Sequence, residues 1–250
     1  MKTVILQNDI LWADPAGNIR KADAAIPSSP DADLYILPEM FSTGFCTSPE
    51  GIAESDGATL EWMKKKAAQC GAAIAGSVAI KEDGNFYNRF YFVKPDGDVV
   101  SYDKKHLFTY GKEHESFTAG DRRVIVEYLG VRILLEICYD LRFPVWSRNR
   151  GDYDMIIYVA SWPASRISAW NSLLVARAVE NQCYVAGVNR VGTDPSDSYS
   201  GGSVIVDPYG NVIAKCQDWI ESCSEAEIDM ELLEAFRRKF PVLNDADRIV

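Results

Sequence analysis

The stretch that decides the fold is Val-Arg-Ile-Leu-Leu-Glu-Ile-Cys-Tyr-Asp-Leu-Arg-Phe-Pro, at residues 131–144. Its first seven residues are mostly apolar and include β-branched side chains, which predicts a buried strand. Beyond Cys138 the chain turns polar and reaches Pro144, so the strand should end at the cysteine. A thiol at a strand end is held rigidly, and backbone N–H groups near it can stabilise a thiolate or an oxyanion. Cys138 is therefore a candidate nucleophile.

Cys138 could instead be a packing residue, because buried free cysteines usually act as small apolar side chains. No pair among the six cysteines has C-x-x-C spacing, and only two histidines are present, so we expect no zinc site. Catalysis by a cysteine nucleophile would need no metal or organic cofactor. The first residues enter a strand-like run without a secretory apolar region, and no apolar stretch is long enough to cross a bilayer. We therefore expect a cytoplasmic protein with reduced thiols.

Composition indicates an ordinary globular protein, with 47% hydrophobic and 25% charged residues in a chain of 250. A chain of this length can bury a large core as one domain. The net charge of −10 argues against a nucleic-acid partner, which would require a basic face. It does not exclude an anionic small molecule, because a pocket on an acidic protein can carry its own arginines and lysines.

Short apolar strands recur along the chain, and helical patterns accompany them near both ends. The predicted strands lie at about 3–7, 33–37, 72–80, 86–94, 98–103, 124–128, 131–137, 155–160, 184–189, 202–206 and 211–216. The predicted helices lie at about 16–25, 57–70, 167–181 and 230–240, followed by a tail at 241–250. Strands alternating with helices, plus hairpins in the middle, predict a layered α/β fold with mixed sheets in one domain, 1–250. A doubly wound nucleotide-binding fold is disfavoured, because no glycine-rich phosphate loop is present.

Two other strand ends carry residues that could serve the cysteine. Glu39 lies in Leu-Pro-Glu-Met-Phe (37–41), and a carboxylate among apolar neighbours suits a general base. Lys104 and Lys105 follow the strand at 98–103 and should point in opposite directions, so that only one can face a site. The charged loop at 111–117 adds Glu113 and Glu115. Taken singly, each of these residues equally fits a solvated surface.

Together these motifs resemble the nitrilase superfamily, the carbon–nitrogen hydrolases, over nearly the whole chain. The motifs are Leu-Pro-Glu-Met-Phe, Tyr-Asp-Lys-Lys-His-Leu-Phe (102–108) and Ile-Cys-Tyr-Asp-Leu-Arg-Phe-Pro (137–144), in the family's order. Ser-Trp-Pro (161–163), Ala-Arg-Ala-Val-Glu-Asn-Gln (176–182) and Tyr-Ser-Gly-Gly-Ser (199–203) indicate the omega-amidase branch, which includes the YafV-like amidases. The resemblance implies a four-layer α-β-β-α sandwich with two mixed sheets, usually dimerised through helices.

The resemblance also implies a role for each matching residue. Glu39 would be the general base, Lys105 the oxyanion stabiliser and Cys138 the nucleophile of a Glu-Lys-Cys triad. A second glutamate in the following loop would help to position the substrate. Glu115 is the match preferred here, and Glu113 remains open. The oxyanion would also receive a backbone N–H, that of Tyr139.

Omega-amidases hydrolyse the terminal amide of small 2-oxo acids such as 2-oxoglutaramate and 2-oxosuccinamate, so the site would need a cation for the distant carboxylate. Arg142 is the first candidate, because guanidinium binds carboxylate in a bidentate manner. It could instead form a structural ion pair with Asp140 or Glu136, and Arg166 and Lys112 are rivals for the carboxylate. Phe41, Tyr110 and Trp162 could line the pocket, although aromatic residues near strand ends are more often core.

Two other functions remain compatible with the sequence. One is a nitrilase or N-carbamoyl amide hydrolase, because the triad is common to these enzymes and the pocket decides the substrate. The other is a catalytically silent relative that binds a partner, although the intact Glu39, Lys105 and Cys138 argue against it. The expected partners are a small-molecule amide and a second copy of the chain, with no nucleic acid and no membrane.

Overall fold

The computed structural model describes residues 1–27 and 31–247, and most of them lie in strands or helices. The strands are β1 (Lys2–Gln7), β2 (Leu34–Ile36), β3 (Ala73–Glu82), β4 (Asn85–Val93), β5 (Val99–Asp103), β6 (Ile125–Tyr128), β7 (Val131–Ile137), β8 (Met155–Ala160), β9 (Tyr184–Asn189), β10 (Val191–Thr193), β11 (Ser198–Ser200), β12 (Val204–Val206), β13 (Val212–Lys215) and β14 (Ser222–Glu227). The α-helices are α1 (Pro15–Ala25), α2 (Ala58–Cys70), α3 (Pro144–Ser147), α4 (Ile167–Asn181) and α5 (Met230–Lys239). Short 3₁₀ turns occupy Thr109–Gly111, Glu113–Glu115, Cys138–Arg142, Ala164–Arg166 and Val242–Asp245.

The strands form two six-stranded mixed sheets, in the orders β14-β1-β2-β3-β4-β5 and β13-β12-β9-β8-β7-β6. Their inner faces share one core, in which Ile5 and Ile36 of the first sheet meet Ile133 and Ile157 of the second. Helix α2 covers the outer face of the first sheet, and α4 covers the outer face of the second. The predicted α-β-β-α sandwich is therefore confirmed.

The central strands have apolar residues on both faces because both faces are covered. In β8, Met155, Ile157 and Val159 point into the core between the sheets. Ile156 and Tyr158 of the same strand point outward beneath α4. This two-sided burial explains the continuous apolar runs that predicted the strands.

The predicted strands and helices are found with small shifts at their ends. Strand β14, which the sequence did not predict, pairs antiparallel with β1 at the edge of the first sheet. Its sequence, Ser-Cys-Ser-Glu-Ala-Glu, has few apolar residues because an edge strand is partly solvated, and so it gives a weak pattern. The short β10–β11 pair was also missed. The last three residues of the predicted tail lie outside the described residues.

The topology brings several strand ends to one edge of the sandwich. Strands β7, β8 and β9 run parallel to each other, as do β1, β2 and β3. Strand β5 runs in the direction of β3, because β4 is antiparallel to both. Residues that directly follow β2, β5, β7 and β8 can therefore meet where the sheets face each other. In the described part of the chain, no helix is long and apolar enough to cross a membrane.

Candidate active site

Glu39 lies just beyond β2 and is completely buried. A tight turn places it there, in which Met40 has a left-handed backbone (φ 45°) and its N–H donates to Ser77 Oγ at 2.9 Å. Glu39 Oε1 accepts hydrogen bonds from Asn88 Nδ2 at 2.7 Å and Lys104 Nζ at 2.8 Å. Its Oε2 accepts the Ser161 N–H at 2.8 Å. The carboxylate is thus fixed by three donors from three separate segments.

Lys104, and not the predicted Lys105, is the lysine of this cluster. Its side chain is completely buried, and Nζ lies 2.8 Å from Glu39 and 2.9 Å from Glu113. Burial by itself would lower the pKa of Lys104, but the carboxylates of Glu113 and Glu39 outweigh burial and hold that pKa above its usual value. Lys104 is therefore a permanent cation in the described structure.

The prediction that Lys105 faces the site is wrong. Strand alternation continues past β5, because the Lys104 N–H donates to the Asn88 carbonyl at 3.0 Å. Tyr102, two residues earlier, is buried in the core between the sheets, so Lys104 points inward on the same side. Lys105 points the other way, and its ammonium lies 5.5 Å from the ring centroid of Trp146. An aromatic residue at 102 indicates the side of the strand that faces the core, so Tyr102 was the sequence signal that could have predicted an inward Lys104.

Glu113, and not Glu115, is the second glutamate. Its side chain is completely buried, and Oε2 accepts the Phe108 N–H at 2.6 Å. Burial raises the pKa of Glu113, Lys104 opposes that rise, and the charge of Glu39 adds to it. The preference for Glu115 is wrong because the 3₁₀ turn at Glu113–Glu115 directs that side chain outward, into an exposed groove beside Pro49 and Phe86.

Cys138 directly follows β7 and begins the 3₁₀ turn Cys138–Arg142. Its backbone is left-handed (φ 46°), a conformation that costs a non-glycine residue about 1–3 kcal/mol. This sharp turn at a strand end directs the thiol toward Glu39 and Lys104, and Cys138 is partly exposed to a cavity.

The environment keeps the Cys138 thiol protonated. Burial raises the pKa of the thiol well above its usual value, and the Glu39 carboxylate raises it further through its charge and a hydrogen bond. The Lys104 ammonium and the Ser161 N–H act in the opposite direction. Glu39 is thus in contact with the proton that it would have to accept, as a general base requires.

A small cavity opens above the thiol and is the candidate substrate pocket. It is lined by Phe45, Phe108, Cys138, Tyr139, Arg142, Ser161, Trp162, Pro163, Arg166, Asp197 and Tyr199. The predicted pocket residues Tyr139, Arg142 and Trp162 are all among them, as is the rival Arg166.

Two of the lining side chains, Arg142 and Arg166, are guanidinium groups without an ion-pair partner among the described residues. Arg142 packs over Trp162 at 4.8 Å, and Arg166 packs over Phe108 at 5.4 Å, measured to the ring centroids. Neither forms an ion pair or a side-chain hydrogen bond within residues 1–27 and 31–247. The alternative ion pair of Arg142 with Asp140 or Glu136 is therefore not formed. Asp197 is the one carboxylate among the lining residues. Because the two guanidinium groups outnumber it, the pocket favours an anionic substrate.

Three other predicted or rival pocket residues are not among the residues that line the cavity. Phe41 follows the turn at Met40 and packs in the outer core against Trp62, with ring centroids 5.9 Å apart. Tyr110 is 83% exposed, because the 3₁₀ turn Thr109–Gly111 directs it to solvent. Lys112 is exposed and does not line the cavity. The prediction of Phe41 as a pocket residue is thus wrong, whereas the exposed Tyr110 ring lies beside the lining residue Arg166, 5.9 Å from its guanidinium to the ring centroid.

Asn88 and Ser161 are functional candidates that the sequence did not predict. Asn88 is a buried amide in β4 that donates to both Glu39 and Glu113, the latter at 3.3 Å. A single asparagine in an aromatic strand gives no signal of such a role. Ser161 directly follows β8 and belongs to Ser-Trp-Pro, so its position at a strand end was the available signal.

Comparisons with known proteins agree with this geometry. The carbon–nitrogen hydrolase family model matches residues 2–238. The chain is 46% identical to the omega-amidase YafV of Escherichia coli K12 over 99% of this chain and 97% of that relative. It is 38% identical to the 2-oxoglutaramate amidase of Bacillus subtilis, over 96% and 95% of the two chains.

A solved structure is equally similar. A CN-hydrolase superfamily protein of Xanthomonas campestris, which has an arsenic adduct in its active site, matches with a TM-score of 0.97 at 41% identity. The match covers 100% of this chain and 98% of that one. With the family model, the relatives and the fold in agreement, the chain belongs to the carbon–nitrogen hydrolase family, the nitrilase superfamily.

Proposed function

We propose that the chain is an omega-amidase that hydrolyses the terminal amide of a small 2-oxo acid, such as 2-oxoglutaramate or 2-oxosuccinamate. The observation that carries the substrate class is the cavity, which is lined by Cys138 together with Arg142 and Arg166, two guanidinium groups without an ion-pair partner in the part of the chain that the structure describes. The similarity to an omega-amidase and a 2-oxoglutaramate amidase over nearly the full chain supports the same substrates.

In the first half of the reaction, Glu39 accepts the Cys138 proton while the sulfur attacks the amide carbonyl. The raised pKa of the thiol means that proton transfer accompanies attack and does not precede substrate binding. The negative charge that develops on the carbonyl oxygen is stabilised by the Lys104 ammonium and the Tyr139 N–H. Protonated Glu39 then gives its proton to the nitrogen, and ammonia leaves a thioester on Cys138.

In the second half, Glu39 accepts a proton from water, and the resulting hydroxide attacks the thioester carbonyl. The C–S bond breaks, the sulfur recovers the proton from Glu39, and the dicarboxylate product leaves. Glu113 keeps Lys104 charged and in place, through contacts of 2.9 and 3.1 Å to its ammonium. Because the nucleophile must remain a thiol, we also propose that the enzyme works in the reducing cytoplasm.

The principal test is the substitution Cys138→Ala with a panel of substrates. The wild type should release ammonia fastest from 2-oxoglutaramate and 2-oxosuccinamate, and more slowly from nitriles and N-carbamoyl compounds. Cys138→Ala should abolish release because no thioester can form, whereas Cys46→Ala should retain it. Turnover by Cys138→Ala would refute the proposed nucleophile, and preference for a nitrile or carbamoyl substrate would favour the alternative hydrolases. No turnover of any substrate would indicate a silent binding protein.

Lys104→Met and Lys105→Met form a matched pair that tests the assignment of the lysine. Lys104→Met should lower kcat by at least about 100-fold, because it removes an oxyanion donor. Its unfolding midpoint should also fall, because two buried carboxylates lose their partner. Lys105→Met should leave kcat nearly unchanged. Circular dichroism should give the amount of folded protein, and kcat should be calculated per mole of folded protein. Equal losses in both variants would contradict the assignment.

Arg142→Met and Arg166→Met test the binding of the substrate carboxylate. A hydrogen-bonded contact to a charged group is worth about 1.5–3 kcal/mol, so loss of the binding arginine should raise KM about 10- to 100-fold. The value of kcat should change little. An uncharged linear amide of similar length serves as the control, because its KM should not depend on the arginine. If neither variant alters KM for 2-oxoglutaramate, the carboxylate does not bind at these guanidinium groups.

We also propose that the chain forms a homodimer through an apolar patch formed by α4, the turn between β12 and β13, and the end of α5. The patch comprises the exposed Val179, Tyr209 and Phe240 and the half-buried Phe236, whose ring packs against that of Tyr209 with centroids 4.0 Å apart. Contiguous exposed apolar surface of this kind is typical of an interface.

Light scattering should give about twice the chain mass of 27.9 kDa for the wild type, and Val179→Asp should give the mass of one chain. Leu129→Asp changes an equally apolar exposed residue outside the patch and should remain dimeric. A monomeric wild type at micromolar concentration would exclude the dimer.

A further inference from the structure

The left-handed turn at Cys138 requires support from its surroundings, because a non-glycine residue adopts this conformation only where neighbouring contacts impose it. The support comes from Asp140, two residues beyond the nucleophile. Asp140 is completely buried, and its Oδ2 accepts the Ile137 N–H at 3.0 Å. This hydrogen bond spans the cysteine and closes the turn around it.

The same carboxylate also holds the segment that carries Lys104. Asp140 Oδ1 accepts the His106 N–H at 2.9 Å and lies 2.8 Å from His106 Nδ1. Asp140 Oδ2 accepts the Tyr102 hydroxyl at 2.8 Å, and that hydroxyl oxygen accepts the Lys105 N–H at 3.0 Å. Lys104 therefore lies between residues that are fixed to Asp140 on both sides.

His106 is oriented for this contact by its neighbours. Its ring stacks on Phe143 at 3.8 Å, with the planes 8° apart. Because an ionised carboxylate can only accept, the geometry assigns the His106 proton to Nδ1. Asp140 then accepts four hydrogen bonds. Two come from the backbone N–H groups of Ile137 and His106, and two come from the side chains of Tyr102 and His106.

We propose that Asp140 is a positioning residue that sets the placement of the Cys138 thiol relative to the Lys104 ammonium. The proposal rests on the roles given above to Cys138 and Lys104. A shared carboxylate fixes both chain segments to one point, so that the attacking sulfur and the oxyanion donor keep one geometry. A misplacement of about 1 Å between reacting groups can cost about 100-fold in rate.

Asp140→Asn is the direct test. An amide offers one acceptor oxygen and one NH₂ donor, and each oxygen of Asp140 accepts one backbone N–H, so the NH₂ would necessarily lose the contact to Ile137 or to His106. We expect kcat per active site to fall about 10- to 100-fold with KM changed less than about twofold. Active sites should be counted by stoichiometric alkylation of Cys138, and ammonia release should be measured with whichever amide the wild type hydrolyses fastest.

Glu136→Gln is the matched control. Glu136 is also completely buried, lies two residues before Cys138, and accepts a hydrogen bond from Ser147 Oγ at 2.7 Å. It makes no hydrogen bond to residues 102–106. Its variant should keep kcat per active site, because Glu136 does not connect the segment of Cys138 with that of Lys104. A merely structural role of Asp140 would give the same result for Asp140→Asn, and that result would overturn the proposal.

His106 variants provide a second test that does not depend on the folding of Asp140→Asn. His106→Ala removes the Nδ1 donor and should lower kcat, whereas His106→Asn replaces it with an amide N–H at a similar position and should restore much of the loss. Equal kcat for both variants and the wild type would contradict the proposal. Failure of the wild type to hydrolyse any amide would instead refute the proposed function, so the two failures can be distinguished.

Discussion

The site depends on one buried ammonium group, that of Lys104, held between the carboxylates of Glu39 and Glu113. A buried charge is tolerated only when it is paired and hydrogen-bonded, and here each charged group satisfies the others. The three residues come from different segments of the chain, so the ion cluster fixes the relative positions of those segments. Asn88 and Ser161 complete the cluster by donating hydrogen bonds to Glu39.

The two facing sheets explain how these segments meet. Strands β2 and β5 of one sheet and β7 and β8 of the other all end at the same edge. The short segments that follow them carry the candidate chemistry, while the strands themselves are buried on both faces. A rigid core thus lies directly beneath a cluster of polar side chains. This arrangement allows Cys138 to occupy a costly backbone conformation, since the contacts made by Asp140 impose it.

The sequence predicted the layered fold and most of its strands, because burial on both faces leaves continuous apolar runs. It missed β14, whose solvated edge position removes that pattern. It also predicted Glu39 and Cys138 as candidates, because both come shortly after apolar strands within long motifs, and the structure places them together. It could not identify Asn88, whose only distinction is its place opposite the turn that carries Glu39.

The sequence alone thus determined the family, the strand order along the chain and the two residues marked by strand ends. Only the tertiary structure decided between Lys104 and Lys105, and between Glu113 and Glu115. Both choices depend on which side of the backbone faces the interior, and neighbouring charged residues in a chain look alike until the packing is known. Only the tertiary structure also shows where Arg142 and Arg166 lie. Both line the cavity and have no carboxylate partner among the described residues, and spacing along the chain does not reveal either fact.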